Sequence, residues 1–139
     1  MCIRDSGLKD QNTLRHSPGH IIDIAPTCLN AAGLSTKGME GQTLLPVFTK
    51  DSTQPRTLFW EHEGNRAVRQ GDYKLVAQHN TPWELYNMRK DRNELHDLSR
   101  SMPQKAAELK KLYEAWAHRV GAKPWDEVSI IRKKNPSKK

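Results

Sequence analysis

Residues 57–87 read TLFWEHEGNRAVRQGDYKLVAQHNTPWELYN, and this stretch sets the fold class. It consists of short runs rich in aromatic and β-branched residues, separated by polar segments that contain glycine. Gly71 lies in a short polar turn between two such runs, a pattern typical of a β-hairpin. The sequence therefore predicts three or four antiparallel strands with one face to cover, at Thr57–Trp60, Ala67–Arg69, Tyr73–Val76 and Trp83–Tyr86.

A helix between Pro103 and Val120 is predicted to cover that face. Its apolar residues recur at helical spacing, whereas its lysines and glutamates occupy the opposite side. Pro103 favours the first turn, and Gly121 favours the end of the helix. We interpret the apolar stripe as core rather than as a cofactor-binding face; it consists of Leu109, Leu112, Tyr113, Trp116 and Val120.

A shorter helix is predicted upstream of the sheet, from Asp23 to Gly33. Asp23 suits the N-cap, Pro26 falls in the first turn where its missing N–H has no intrahelical partner, and Gly33 suits a left-handed C-cap. This helix is apolar, so it needs a surface to lie against. Residues 34–56 show little periodicity and are interpreted as a connecting loop. The fold class predicted from these elements is α+β, a small antiparallel sheet packed by one C-terminal helix.

The net charge of +7 is concentrated at the end of the chain. Residues 132–139 carry five positive charges and no acid, which leaves +2 for the rest of the chain. The charge is therefore typical of a solvated tail rather than of a folded nucleic-acid-binding face, and a nucleic-acid partner is not favoured. A membrane-spanning helix is not predicted, since no apolar run approaches the roughly 20 residues that it requires.

The sequence holds no strong metal or nucleophile motif. Neither Cys2 nor Cys28 sits in a Cys-x-x-Cys pair, although one bridge between them remains open, and Cys28 is expected to be a small buried thiol. His62-Glu63 lacks the second histidine of a His-Glu-x-x-His site, because Arg66 occupies that position. The sequence therefore predicts no metal site within this chain. Three further histidines stand alone in the sequence, namely His79, His96 and His118.

Several strings together resemble the C-terminal region of the sulfatase family, and its arylsulfatase branch in particular. They are DIAPT at 23–27, RTLFWEH at 56–62, GNRAVRQGDYKLV at 64–76 and WELYN at 83–87, followed by the closing helix. Their order and spacing span about residues 14–126. The resemblance implies a large α/β domain that holds the active site, and a smaller C-terminal subdomain with a four-stranded antiparallel sheet and one packed helix.

The resemblance also predicts a domain organisation. Residues 1–13 form a non-family N-terminal segment and are a candidate artefact. Residues 14–50 form the end of the large sulfatase α/β domain and a connecting loop, so that the short predicted helix belongs to that domain. Residues 51–126 form the C-terminal sulfatase subdomain, and residues 127–139 form a basic tail that is expected to be disordered.

The departures from the family concern the reaction itself. Sulfatases hydrolyse sulfate esters with a formylglycine, made from Cys or Ser in a Cys/Ser-x-Pro/Ala-x-Arg motif, and with a bound calcium ion. Cys2 begins CIRDS and Cys28 begins CLNAA, so neither matches the motif. The resemblance therefore assigns this fragment no catalytic residue, metal ligand or cofactor. It implies calcium and formylglycine for a full-length parent, in which the missing N-terminal sulfatase domain is the partner of this piece.

Three residues at the first predicted hairpin are candidate substrate-binding residues: His62, Asn65 and Arg66. In the family, the C-terminal hairpins border the active-site cleft. His62 could donate a hydrogen bond to a sulfate oxygen or to the leaving group, and Arg66 could attract an anionic substrate. In the alternative interpretation, Arg66 forms a surface salt bridge with Glu61 or Glu63.

Two functions follow. In the first, the chain is a C-terminal fragment of an arylsulfatase-like sulfuric ester hydrolase, which supports the fold, borders the active-site cleft and is not catalytic alone. In the second, it is a free-standing α+β binding module that uses its basic tail on nucleic acid or an acidic polymer. Family analogy suggests a periplasmic or extracellular location, with any signal peptide upstream of this sequence.

Overall fold

The computed structural model describes residues 14–50 and 56–134, with side chains described up to residue 130. The chain divides into two compact units, residues 1–54 and residues 55–139. The predicted N-terminal segment, residues 1–13, lies outside the described residues.

In the first unit, a 3₁₀ turn at Ile21–Asp23 leads into helix α1, Ile24–Ala31. Gly33 follows the end of α1 with a φ of 74°, as expected for a left-handed residue. The Leu34 N–H donates to the Leu29 carbonyl at 2.8 Å, which is the long hydrogen bond of a Schellman motif. The predicted glycine stop is therefore confirmed.

The Asp23 carboxylate does not cap α1, contrary to the sequence-based expectation. It accepts hydrogen bonds from the N–H groups of His20, at 2.8 Å, and Gln42, at 2.9 Å. The difference arises because the 3₁₀ turn precedes α1, so that the capping interaction moves to the start of that turn. Asp23 is fully buried and ties α1 to the segment that follows it.

Residues 34–50 are not a plain loop, because Leu45–Thr49 form a short helix, α2. Pro46 lies in its first turn, where proline favours helix initiation. The prediction that Cys28 is a buried thiol was also wrong, because this residue of α1 is exposed. Its suggested partner, Cys2, lies outside the described residues.

The second unit contains a four-stranded antiparallel sheet with the strand order β1-β2-β3-β4. The first hairpin pairs His62 with Asn65, so Glu63 and Gly64 alone form the turn. Both turn residues have positive φ, 52° and 84°, as in a type I′ hairpin. The predicted antiparallel sheet is confirmed, with strands β1 at Thr57–His62, β2 at Asn65–Gln70, β3 at Tyr73–Ala77 and β4 at Glu84–Asn87.

Helix α3, Pro103–Val120, packs against this sheet and has the predicted bounds. The Trp116 ring stacks on Phe59 of β1, with ring centroids 5.0 Å apart. Val120 is an exception within the predicted stripe, because it is 47% exposed in the last turn before Gly121. The buried cluster between α3 and the sheet consists of Val68, Leu75, Leu85, Leu109 and Tyr113.

A further helix, α4, occupies Trp125–Lys134, where the sequence predicted a disordered tail from residue 127. Pro124 ends the preceding segment, and its carbonyl accepts the N–H of Glu127 at 3.1 Å. Asp126 and Glu127 lie in the first turn of α4, where negative charge favours a helix. Within the described residues, no helix is both long enough and apolar enough to cross a membrane.

Candidate functional site

A pocket of about 290 Å³ lies in the second unit, beside the turn between β1 and β2. Its walls come from that hairpin, from the segment after β3, and from the end of α3 and the start of α4. Six side chains give the pocket its chemical character, namely Glu61, Arg66, His79, Tyr113, Lys123 and Trp125. The pocket thus combines charges of both signs with aromatic surface.

Arg66 is the one predicted site residue that lines this pocket. Its guanidinium lies over the Trp83 ring, with Cζ 4.8 Å from the ring centroid. The Nε atom is buried and has no hydrogen-bond partner among the described residues. Arg66 forms no salt bridge with Glu61 or Glu63, so the alternative surface-pair interpretation is not supported.

Glu61 pairs with Arg66 across the two strands but uses its carboxylate in the turn. Glu61 Oε1 accepts the Gly64 N–H at 3.1 Å. Burial raises the pKa of the Tyr113 hydroxyl above its ordinary value, the Glu61 charge raises it further, and the Arg66 charge lowers it. Tyr113 is therefore held in its neutral form beside two opposite charges.

Asn65 organises the backbone on two sides of the hairpin. Its Nδ2 donates to the His62 carbonyl at 3.0 Å, and its Oδ1 accepts the His79 N–H at 3.2 Å. The amide group thus connects the first hairpin to the segment after β3. In this chain, both polar atoms of the Asn65 side chain are engaged in holding the local structure.

His79 also lines the pocket, although its isolated position in the sequence predicts no role for it. Its Nε2 lies 3.2 Å from Asp126 Oδ1 and 3.1 Å from Asn80 Nδ2, so the imidazole links the sheet to α4. The signal for this placement is the register of β2 and β3, which pairs Arg66 with Ala77 and brings the next residues of the chain beside the first turn. The presence of α4 could not be inferred from that register.

His62 lies at the end of β1 and is exposed. It is not among the residues that line the pocket. The structure therefore separates the three candidates: Arg66 lies in the pocket, Asn65 supports the turn, and His62 is presented at the tip of the hairpin. No group of three or more His, Cys, Asp or Glu side chains that could hold a metal ion occurs within residues 14–50 and 56–134.

Gly64 gives a direct test of how the hairpin turn fits against its neighbours. A Cβ at Gly64 would lie 2.5 Å from His79 Nδ1 and 3.0 Å from Trp125 Cβ. We expect Gly64→Ala to lower the free energy of unfolding by about 2–5 kcal/mol, the sum of backbone strain, about 1–2 kcal/mol, and overpacking, about 1–3 kcal/mol. Urea denaturation followed by tryptophan fluorescence measures this change.

Gly71 is the matched control, because its φ is also positive, 58°, and no atom lies within 4 Å of its ideal Cβ position. Gly71→Ala should therefore cost only the backbone strain, about 1–2 kcal/mol. Equal destabilisation by the two substitutions would show that Gly64 is not packed against His79 and Trp125.

Residues 11–119 match a family model described as the C-terminal region of N-sulphoglucosamine sulphohydrolase. Arylsulfatase K of Danio rerio is 31% identical over 110 residues, which cover 68% of this chain and 21% of that protein. An uncharacterized sulfatase of Schizosaccharomyces pombe is 38% identical over 61 residues, or 41% of this chain and 10% of that protein. The chain spans about a fifth of the length of arylsulfatase K and about a tenth of the length of the uncharacterized sulfatase.

Solved structures share the fold. The crystal structure of Ps i-CgsB superposes with a TM-score of 0.59 at 24% identity, covering 72% of this chain and 24% of that chain. A structure described as a complex with its substrate, D-glucosamine-2-N,6-O-disulfate, gives a TM-score of 0.53 at 24% identity, covering 69% of this chain and 23% of that one. At this identity, the likeness concerns the fold.

Proposed function

The chain belongs to the sulfatase family, in its C-terminal region, and from that premise we propose that it is part of an arylsulfatase-like sulfuric ester hydrolase. In this proposal it supports the fold of the parent enzyme and borders the active-site cleft. The observation that carries the proposal is the family match over residues 11–119, together with the fifth of arylsulfatase K that the chain spans. The larger size of the relatives supports a missing N-terminal domain as the partner of this chain. It also makes the second function, a free-standing binding module, the weaker alternative.

The surface of the first unit supports such a partner. Ile21, Ile24 and Leu34 are all more than half exposed. Large aliphatic side chains exposed close together along the chain are typical of a surface that another structure covers. In the proposal, the α/β domain of the parent provides that cover.

The reaction proposed for the parent is the hydrolysis of a sulfate ester. Formylglycine and calcium are proposed for that reaction, the first as nucleophile and the second to neutralise the sulfate charge. Both are proposed for residues outside this chain, because Cys2 and Cys28 stand in strings that lack the modification motif. An exported location, periplasmic or extracellular, is part of the same proposal.

His62 is the residue of this chain that we propose contacts the substrate. Its exposed position at the tip of the β1–β2 hairpin leaves the imidazole accessible to a neighbouring domain. There it would donate a hydrogen bond to a sulfate oxygen or to the leaving group. Arg66, set back in the pocket, would add positive potential that attracts an anionic ester.

The test is His62→Ala in the full-length parent enzyme. We expect kcat/KM for an aryl sulfate to fall at least about tenfold, equivalent to roughly 1.4 kcal/mol of transition-state stabilisation. The melting temperature should change little, because His62 is exposed. Steady-state kinetics and a thermal melt on the same sample separate the two effects.

His96 is the control, since it is 81% exposed and lies outside the hairpin. His96→Ala should leave kcat/KM unchanged. A normal kcat/KM for His62→Ala, or a loss of activity that only follows a loss of stability, would show that His62 does not contact the substrate.

A further inference from the structure

We propose that helix α4 positions His62 by holding the β1–β2 turn in place, with Trp125 and Asp126 as the positioning residues. Helix α4 begins at Trp125, beyond the residues 11–119 that match the sulfatase family. The inference rests on the proposed function only for the contact between His62 and the substrate. The contacts between α4 and the turn belong to this chain and do not depend on the reaction.

Trp125 packs directly beside the β1–β2 turn. A Cβ at Gly64 would lie 3.0 Å from Trp125 Cβ and 2.5 Å from His79 Nδ1, so both side chains lie against the backbone of the turn. Glycine permits this close approach because it has no side chain. Trp125 is partly buried in this position, and the start of α4 therefore limits how far the turn can move.

A chain of polar contacts also leads from α4 to the backbone of His62. Asp126 Oδ1 lies 3.2 Å from His79 Nε2. The His79 N–H donates to Asn65 Oδ1 at 3.2 Å, and Asn65 Nδ2 donates to the His62 carbonyl at 3.0 Å. The Asn65 side chain uses its oxygen and its nitrogen in this chain of contacts, so a displacement of His79 also displaces the backbone at His62.

The position of His62 depends on this support because β1 lies at an edge of the sheet. Strand pairing with β2 holds the end of β1, and the imidazole itself is exposed. A hydrogen bond to a substrate weakens steeply when its distance or angle changes, so small movements of the turn reduce its contribution. Since Asp126 is 74% exposed, its ion pair contributes little to global stability, and its loss should act on local movement instead.

Amide hydrogen exchange of the whole 139-residue chain, followed by NMR, tests these contacts. The reporters are the N–H groups of Gly64 and His79, which donate to side chains of the hairpin. The Leu98 N–H donates to the Leu85 carbonyl at the other edge of the sheet and is the internal reference. We expect Trp125→Ala to raise the exchange rates of Gly64 and His79 at least about tenfold relative to Leu98.

Asp126→Ala and Glu127→Ala form a matched pair. Each removes one negative charge from the first turn of α4, and Asp126 is the residue that lies against His79. Asp126→Ala should raise the His79 exchange rate severalfold, whereas Glu127→Ala should leave it unchanged. Asp126→Asn keeps an acceptor oxygen and should retain most of the protection. Equal effects of the two alanine variants would overturn the proposal, as would a Trp125→Ala effect on Gly64 and His79 no larger than that on Leu98.

The full-length parent tests whether α4 acts on the reaction through His62. We expect Trp125→Ala to lower kcat/KM for an aryl sulfate about threefold or more, with no further loss in a His62→Ala background. Equal losses in both backgrounds would contradict the positioning of His62 by α4. A normal kcat/KM for His62→Ala would contradict the proposed contact with the substrate, whereas the exchange rates in the chain would still decide whether α4 holds the turn.

Discussion

Replacing Leu109 by alanine is expected to destabilise the second unit by about 3–5 kcal/mol. Leu109 is fully buried, in contact with the core that β2, β3 and β4 supply through Val68, Leu75 and Leu85. The substitution removes buried apolar surface and leaves a cavity between α3 and the sheet. All four tryptophans lie at or beyond residue 60, so tryptophan fluorescence during urea denaturation reports on this unit.

Leu95→Ala is the matched control, because Leu95 is 72% exposed. It removes the same atoms without opening a cavity and should change the free energy of unfolding by no more than about 0.5 kcal/mol. A similarly small effect for Leu109→Ala would contradict the packing of α3 on the sheet.

The sheet and α3 could be predicted from the sequence because several local signals agree there. Apolar and aromatic runs alternate with glycine turns between residues 57 and 87, and α3 has a continuous apolar stripe bounded by Pro103 and Gly121. Strands β1 and β2 extend further toward their shared turn than predicted, since the tight Glu63-Gly64 turn allows polar residues to continue the pairing.

Helix α4 could not be predicted, since its signals conflict. Pro124 follows Gly121 closely, a position typical of a helix stop, although proline also begins helices. The basic residues from 132 onward favour the prediction of a disordered tail. Asp126 and Glu127, in contrast, favour the start of a helix. In the first unit, Asp23 does not cap α1, because a 3₁₀ turn precedes this helix. The apolar periodicity of the sequence does not reveal such a turn.

The candidate site was only partly predictable. Arg66 is a candidate because it lies at the first predicted hairpin, which borders the active-site cleft in the resembled family, and the structure places it in a pocket. His79 was missed because its role depends on contacts with α4 and with the first turn, which are distant in sequence. Sequence patterns identify the elements that carry side chains, whereas a pocket arises from the way those elements pack.

The isolated chain is expected to hydrolyse no aryl sulfate above background, even with calcium and a formylglycine-generating system supplied. The reason is that neither Cys2 nor Cys28 stands in the modification motif, and the chain spans only about 21% of arylsulfatase K. The product of the full reading frame that contains this chain should turn the same substrate over. The expected difference is therefore between measurable catalysis and none.

The central claim is that this chain is the C-terminal part of a sulfatase whose reaction takes place on residues outside it. The rate of aryl sulfate hydrolysis by the purified chain, measured beside the purified full-length product and the Cys28→Ala variant of the chain, tests that claim most directly. The account predicts background rates for the chain and for its variant, and turnover for the full-length product. Turnover by the chain alone that Cys28→Ala abolishes would contradict it.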